Sequence, residues 1–333
     1  MVDGTEGSHN KEGSTKMSKH STICAGIDTG KRRLDVALDG SGEQLQVDNT
    51  PEGHAALSDW LRQHRTKRVG IEASGGYEWA VVAALRRQGF VVIVFQPAQV
   101  RAYAMFHLQR AKNDKIDAAL IAACTAATKK IHSPPDPRLA AFAEPLTMIE
   151  QITDDTTRLK NRCESCRDPR IRQLWKEEIA RLKKLHRSEL KTLVAAIRQH
   201  RDLAERLDLI NSVDGIGLPT AVAIVVRMPE IGRITREQAA ALAGLAPYDQ
   251  DSGDHVGVRH IAGGRERLRG ALYAAALPAA FRWNPQLIAL YRRLTAAGKL
   301  HKVALIACAR KLLVFANTVV ARGTAWTTQP GTV

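Results

Sequence analysis

Ser21-Thr22-Ile23-Cys24-Ala25-Gly26-Ile27-Asp28-Thr29-Gly30-Lys31 drives a short apolar run straight into a carboxylate, and the reading of this stretch decides the fold. Ile23 to Ile27 predict a buried strand, and Gly30 can supply the positive φ of a tight turn into a second strand, Arg33 to Leu38. An ionised Asp at a strand end needs a partner, a cation or water, unless it bonds its own backbone as a turn residue. Asp39-Gly40-Ser41-Gly42 then reads as a turn and Gln44 to Val47 as a third strand, so the chain opens with three antiparallel strands.

Helices and strands alternate from there. Pro51 to His64 has helical spacing, and Arg68-Val69-Gly70-Ile71-Glu72 predicts a second buried strand that ends in a carboxylate. Tyr77 to Gln88 reads as a helix stopped by Gly89, and Phe90 to Phe95 as an apolar strand stopped by Pro97. The next helix, about Asn113 to Lys130, carries Asp114 and Asp117 three apart, on one face near its N-terminus. The helix dipole alone favours acids there. Together with Asp28 and Glu72, however, they make four carboxylates that would repel if gathered without cations, and hard oxygen ligands select magnesium or manganese.

With 333 residues the chain has room for two domains. Its net charge of +15 and few aromatic residues point to a polyanionic partner, nucleic acid first. No run of eighteen apolar residues and no apolar leader are present, so the expectation is no membrane partner and a cytoplasmic, nucleoid-associated protein. Residues 1–20 read as a disordered leader rich in Gly, Ser, Thr and charge. Cys24, Cys124, Cys163, Cys166 and Cys308 are scattered and should be reduced; the one CxxC lacks the two further ligands that a zinc site needs.

Pro134, Pro135 and Pro137 mark a boundary. Beyond it the pattern is helical and basic to about Leu209, with an apolar seam of Leu174, Leu182, Leu185, Leu193 and Ile197 interrupted at Asp168-Pro169, as in a helical hairpin or short coiled coil. Such a charge run either meets nucleic acid or is a solvated face. Val213-Asp214-Gly215-Ile216-Gly217-Leu218-Pro219 resembles a helix-hairpin-helix turn, in which Gly215 and Gly217 permit close approach of a phosphate to backbone N–H groups. Thr235-Arg236-Glu237-Gln238 has the form of a capping box. Ser252-Gly253, on a polar loop, is followed by Arg265, Arg267 and Arg269, which either hold phosphate or brace a helix end; Ser252 is a candidate nucleophile or an ordinary turn residue.

The element order and acid positions of the first part resemble the ribonuclease H-like fold in its RuvC-like form. In chain order, Asp28, Glu72, Asp114 and Asp117, the Gly215-Ile216-Gly217 turn, Gly244-Leu245-Ala246-Pro247 through Ser252-Gly253, and Gly263-Gly264-Arg265 through Leu268-Arg269 resemble the insertion-sequence-110 family of transposases. Asn284-Pro285, Tyr291, Gly298-Lys299, Lys302-Val303-Ala304 and Arg310-Lys311-Leu312-Leu313 extend that resemblance over about residues 20 to 320. It implies an α/β RuvC-like domain (residues 21–132) with catalytic, metal-binding Asp28, Glu72, Asp114 and Asp117. A basic helical linker or coiled coil (133–208) follows, then a C-terminal transposase domain (209–333) carrying the nucleophile Ser252 and nucleic-acid contacts at Gly215, Gly217, Arg265, Arg267 and Arg269. Also implied are Mg2+ (or Mn2+), donor and target DNA, a structured noncoding bridge RNA that guides the enzyme, and a homo-oligomer, dimer or tetramer, in which acids of one protomer meet the serine of another. The reaction implied is DNA recombination through a covalent 5′-phosphoserine. The residues also admit a RuvC-like nuclease or junction resolvase that uses water, a sugar-kinase-like ATPase reading of Gly26-Ile27-Asp28-Thr29-Gly30, and a non-catalytic RNA-binding scaffold.

Overall fold

The two apolar runs that end in acids form neighbouring strands of one sheet. The computed structural model describes residues 23–108, 114–129, 136–248 and 260–327, with the side chains of 114–116 excepted. The chain divides into two compact units, residues 1–134 and 135–333.

The first unit holds β1 (Cys24–Thr29), β2 (Arg33–Leu38), β3 (Gln44–Asp48), β4 (Arg68–Glu72) and β5 (Val91–Phe95) in the order β3-β2-β1-β4-β5. The first three strands are antiparallel; β4 lies parallel to β1, and β5 parallel to β4. This mixed sheet fits the RuvC-like expectation. One face, with Ile27, Val69 and Ile71, is covered by Leu57 and Leu61 of α1 (Pro51–Gln63) and by Val81 and Leu85 of α2 (Trp79–Arg87). On the other, Phe95 packs with Val100 of α3 (Pro97–Phe106) and with Leu120 and Ile121 of α4 (Asp114–Ala127). Helix α3 departs from the expected order: Pro97 stops β5 but also starts a helix, because its fixed φ suits the first turn. Gln99 Oε1 secures that start by accepting the Gln96 N–H at 2.9 Å.

Among its described residues the second unit is helical apart from one two-stranded ribbon. Helices α5 (Pro137–Ser165) and α6 (Pro169–Arg198) form the expected hairpin, and Asp168 caps α6 by accepting from the N–H groups of Arg170 and Ile171 at 2.8 and 3.1 Å. Ile152, Leu159, Ile179 and Leu182 fill its seam. Leu174, expected there, is 51 % exposed; Trp175 takes the inward position instead. The remaining elements are α7 (Arg201–Asn211), α8 (Leu218–Arg227), α9 (Arg236–Leu242), β6 (Pro247–Tyr248), β7 (His260–Ile261), α10 (Glu266–Pro278), a π-helical turn (Ala279–Trp283), α11 (Pro285–Ala296) and α12 (His301–Arg322). The capping box at Thr235 opens α9, with Gln238 as its return partner.

Helix α12 meets the length and hydropathy of a membrane span, yet over half of that window is buried in this unit, where Leu305, Leu312 and Leu313 belong to its hydrophobic core. Leu139, Phe142, Leu193 and Ile197, from the segment expected as a linker, belong to the same core. Gly215 has φ of +97°, and a Cβ there would lie 2.4 Å from the Ala279 Cβ, so this glycine lets the α7–α8 turn seat against the π-helical turn.

Candidate active site at the carboxyl ends of the sheet

The parallel register sets Ile27 opposite Ile71. Asp28 and Glu72 are the next residue on each strand, so they stand side by side at adjacent strand ends, on the face shared by Gly26 and Gly70. Those two glycines explain how a helix covers that face so closely. A Cβ on Gly26 would lie 2.2 Å from the Ala122 nitrogen and 2.3 Å from the Ala118 oxygen; one on Gly70 would meet Thr125 Oγ1 at 1.8 Å. The α4 backbone therefore rests on the strands themselves. Arg68, at the start of β4, donates to the Thr128 carbonyl just beyond the helix end. Contacts thus progress from Thr128 at the start of β4 to Ala118 over Gly26 in the middle of β1, and α4 runs antiparallel to both strands. Asp117 therefore lies over the strand ends that carry Asp28 and Glu72. All three are half-buried. Asp114 opens α4 one turn earlier, and its side chain lies outside the described ones.

Sequence reasoning missed a neighbouring acid. Asp35 of β2 pairs directly with Asp28 across the antiparallel ladder, so the two carboxylates share a face. Gln46 Nε2 donates to Asp35 Oδ1 at 2.7 Å, and Asp35, Gln46 and Ala118 line a cavity of about 220 Å3. The hairpin register would have revealed this: counting outward from the Gly30 turn places 35 opposite 28.

Loops behind the acids are held by two further residues. Asn49 Nδ2 donates to the carbonyls of Gly30 and Tyr77 at 3.1 and 3.0 Å, tying together the segments that follow Asp28 and Glu72. With its nitrogen so used, Asn49 Oδ1 accepts, at 2.8 Å, from Nε2 of buried His54. Burial lowers the His54 pKa, Glu52 opposing this in part. Buried Glu78 closes the turn after Glu72 by accepting from the Ser74 N–H and hydroxyl and the Gly76 N–H at 3.1, 2.8 and 2.8 Å. Burial alone would raise its pKa, but these hydrogen bonds prevail and hold the carboxyl below its ordinary 4.5.

Because Glu78 has a depressed folded pKa, the unfolded chain binds more protons between the two values, and its contribution is present above pH 4.5 and lost as pH falls through the folded value. His54 acts in the same direction: stability declines as pH falls through 6.5, where the unfolded imidazole charges and the folded one resists. Glu78→Ala is expected to cost about 2 kcal/mol at neutral pH, since three donors lose their acceptor. Urea titrations at pH 7 and at pH 4 should show the gap between wild type and variant narrowing in acid; a constant gap would deny Glu78 this role.

The donor set at the sheet end is oxygen only and fits a hard divalent cation. Among the described residues no three His, Cys, Asp or Glu side chains group as a complete metal-binding cluster, and Asp114 is not among those side chains.

Ser252 also lies outside the described residues. The ribbon from which its segment departs is described: β6 pairs with β7, Pro247 opposite Ile261 and Tyr248 opposite His260. Behind it Gly244 and Gly264, at φ of +67° and +69°, approach so closely that a Cβ on Gly264 would lie 2.2 Å from the Gly244 nitrogen. The three arginines expected to hold nucleic acid each have a partner in this unit. Arg265 grips Glu230 with two hydrogen bonds of 2.7 and 2.8 Å; Arg267 lies 3.3 Å from Glu150, which Arg227 also holds; Arg269 donates to the Gly263 carbonyl at 2.6 Å. They brace the start of α10 and the turn before it and remain partly exposed. Gly217 is the N-cap of α8.

Residues 25–169 match a family model described as "Transposase", and residues 207–292 match one described as "Transposase IS116/IS110/IS902 family". The pilin gene-inverting proteins of Moraxella bovis and Moraxella lacunata are each 28% identical over 314 residues, covering 89% of this chain and 94% of theirs. The Thermus thermophilus RuvC structure aligns at 24% identity over 34% of this chain and 83% of its own, with a TM-score of 0.23.

Proposed function

We propose a mechanism from one premise: the chain belongs to the IS110 family of transposases, and it is an enzyme that recombines DNA. Asp28, Glu72, Asp114 and Asp117 hold divalent magnesium or manganese. When bound, the cation neutralises charge at the scissile phosphate and steadies the oxygens that attack and leave. The observation that carries this reading is that Asp28 and Glu72 each follow the last paired residues, Ile27 and Ile71, of adjacent parallel strands, under a helix whose Ala118 rests on Gly26 with Asp117 next to it.

Ser252 is the nucleophile. Its Oγ bonds to phosphorus as the bond to the 3′ oxygen breaks, and the serine proton is balanced by the one gained by the departing 3′-hydroxyl. A 5′-phosphoserine results, with bond energy conserved. In the second step a 3′-hydroxyl of the new partner strand attacks the same phosphorus and returns the serine. The α7–α8 turn with Gly215 and Gly217, together with braced Arg265, Arg267 and Arg269, lines the nucleic-acid path. A structured RNA from the element supplies sequence recognition by pairing with donor and target DNA, which suits a strongly basic protein whose sequence has no evident base-reading motif. The working assembly is a homo-oligomer in which acids and serine come from different protomers.

A denaturing gel of protein, cognate RNA and labelled DNA with magnesium tests this. A covalent protein–DNA adduct is expected in wild type and absent in Ser252→Ala. Nicking without an adduct in both proteins would replace serine by water as nucleophile.

A further inference from the structure

Three rings meet at the surface of the second unit. Phe281 lies in the π-helical turn, Tyr291 in α11 and His301 at the start of α12. Phe281 stands edge-on to Tyr291 with centroids 4.9 Å apart and nearly parallel to His301 at 6.4 Å, while the Tyr291 hydroxyl sits 2.7 Å from His301 Nδ1. Phe281 is 51 % exposed and nearby Trp283 is 63 % exposed. Core packing does not account for so much uncovered aromatic surface.

The backbone beneath it is fixed. Asn284, 1 % exposed, closes the π-helical turn with its N–H on the Ala279 carbonyl at 3.1 Å, and its side chain donates to the Asp214 carbonyl and accepts from the Leu287 N–H. Turns of this type occur often at functional sites. Each ring of the trio is followed in the chain by a cation: Arg282 after Phe281, Arg292 after Tyr291, Lys302 after His301. None of these three cations has a carboxylate ion pair among the described residues. From Arg267 to the last residue the chain has ten Lys and Arg and no Asp or Glu. Lys302 also lines a cavity of about 310 Å3 with Pro247, His260 and Ile261 of the ribbon, so the rings and the ribbon meet around the same end of α12.

We propose that this face binds an unpaired stretch of nucleic acid, with bases stacked on Phe281 and Trp283 and phosphates held by Arg282, Arg292 and Lys302. Flat rings beside uncompensated cations match a ligand that offers π faces and negative charge together. Duplex bases are already stacked, which selects the single strand. A second copy of the same face is a poor occupant, because it would bring cations against cations, and none of Arg282, Arg292 and Lys302 has a carboxylate ion pair among the described residues. The proposal rests on the chain being a recombinase that handles nucleic acid, and it is independent of whether serine or water cuts.

Fluorescence anisotropy with a labelled oligothymidine, and with an abasic strand of equal length, tests it. Wild type should bind the oligothymidine more tightly. Phe281→Ala with Trp283→Ala should weaken oligothymidine binding about tenfold or more while leaving the abasic strand and the salt slope unchanged. Trp283→Ala alone, which leaves the Phe281–Tyr291 contact intact, should show part of the same selective loss. Arg282→Ala with Lys302→Ala should weaken both ligands and flatten the salt dependence. Ser252→Ala should bind as wild type does, so a failure of the serine mechanism leaves this assay unaffected. Equal loss for both strands on removing the rings, or no loss for either, would overturn the proposal. Loss of self-association by sedimentation with unchanged strand affinity would likewise overturn it and assign the face to contact between copies.

Discussion

Asp28→Asn is expected to abolish DNA strand cleavage, a loss of about a thousandfold or more, while nucleic-acid affinity stays the same or rises slightly. The asymmetry follows from what the residue does. In the proposed mechanism Asp28, beside Glu72 at the sheet end, contributes charge at the chemistry, whereas strand affinity is expected from cations spread over a chain of net charge +15. A second readout needs no activity. Asp28 is paired across the ladder with Asp35, and opposed like charges at that position destabilise a sheet by about 0.2–1 kcal/mol. Without divalent ions Asp28→Asn should therefore melt at or slightly above the wild-type temperature; adding magnesium should raise the wild-type melting temperature and raise that of the variant less. Retained cleavage, or equal magnesium stabilisation of both proteins, would remove Asp28 from the metal site.

How much of this site was legible in the sequence depends on whether each residue acts through a local period or through a distant partner. Asp28 and Glu72 were legible as candidates because an apolar strand running into an acid is a short-range pattern; Arg68–Glu72 has the expected bounds, whereas the first strand, expected over Ile23 to Ile27, is Cys24–Thr29 and runs on through Asp28. Asp117 was legible from its place in the first turns of α4. Asp35 was hidden because it lies inside β2 and meets Asp28 only through the register of the hairpin, which no local spacing displays. Asn49 and Glu78 act through backbone carbonyls and amides of loops, which leave no spacing to read. Arg265 was assigned to nucleic acid by charge; its partner, Glu230, lies 35 residues away on a different segment, and only the folded chain brings them together. Pro97 misled for another reason, since proline ends strands and begins helices by the same fixed φ.

Gly26→Val is expected to cost about 3 kcal/mol or more and to abolish cleavage along with stability. Any Cβ at position 26 falls within 2.3 Å of both the Ala122 nitrogen and the Ala118 oxygen, and these are backbone atoms of a hydrogen-bonded helix that cannot rotate aside. The helix must lift from β1, and Asp117, one residue from Ala118, leaves the sheet end with it. Gly70→Ala provides the comparison. Its Cβ would meet Thr125 Oγ1 and the Phe95 ring, both side chains, so relief needs the Thr125 hydroxyl to give up its 2.6 Å hydrogen bond to the Ile121 carbonyl and the ring to turn. That should cost about 1–2 kcal/mol and leave α4 seated. Urea denaturation of Gly26→Ala, Gly26→Val and Gly70→Ala, each paired with a cleavage assay, should rank Gly70→Ala as the mildest and the only one with residual activity. Equal losses at the two glycines would mean that α4 does not rest on β1 through its backbone, and the placement of Asp117 beside Asp28 and Glu72 would go with it.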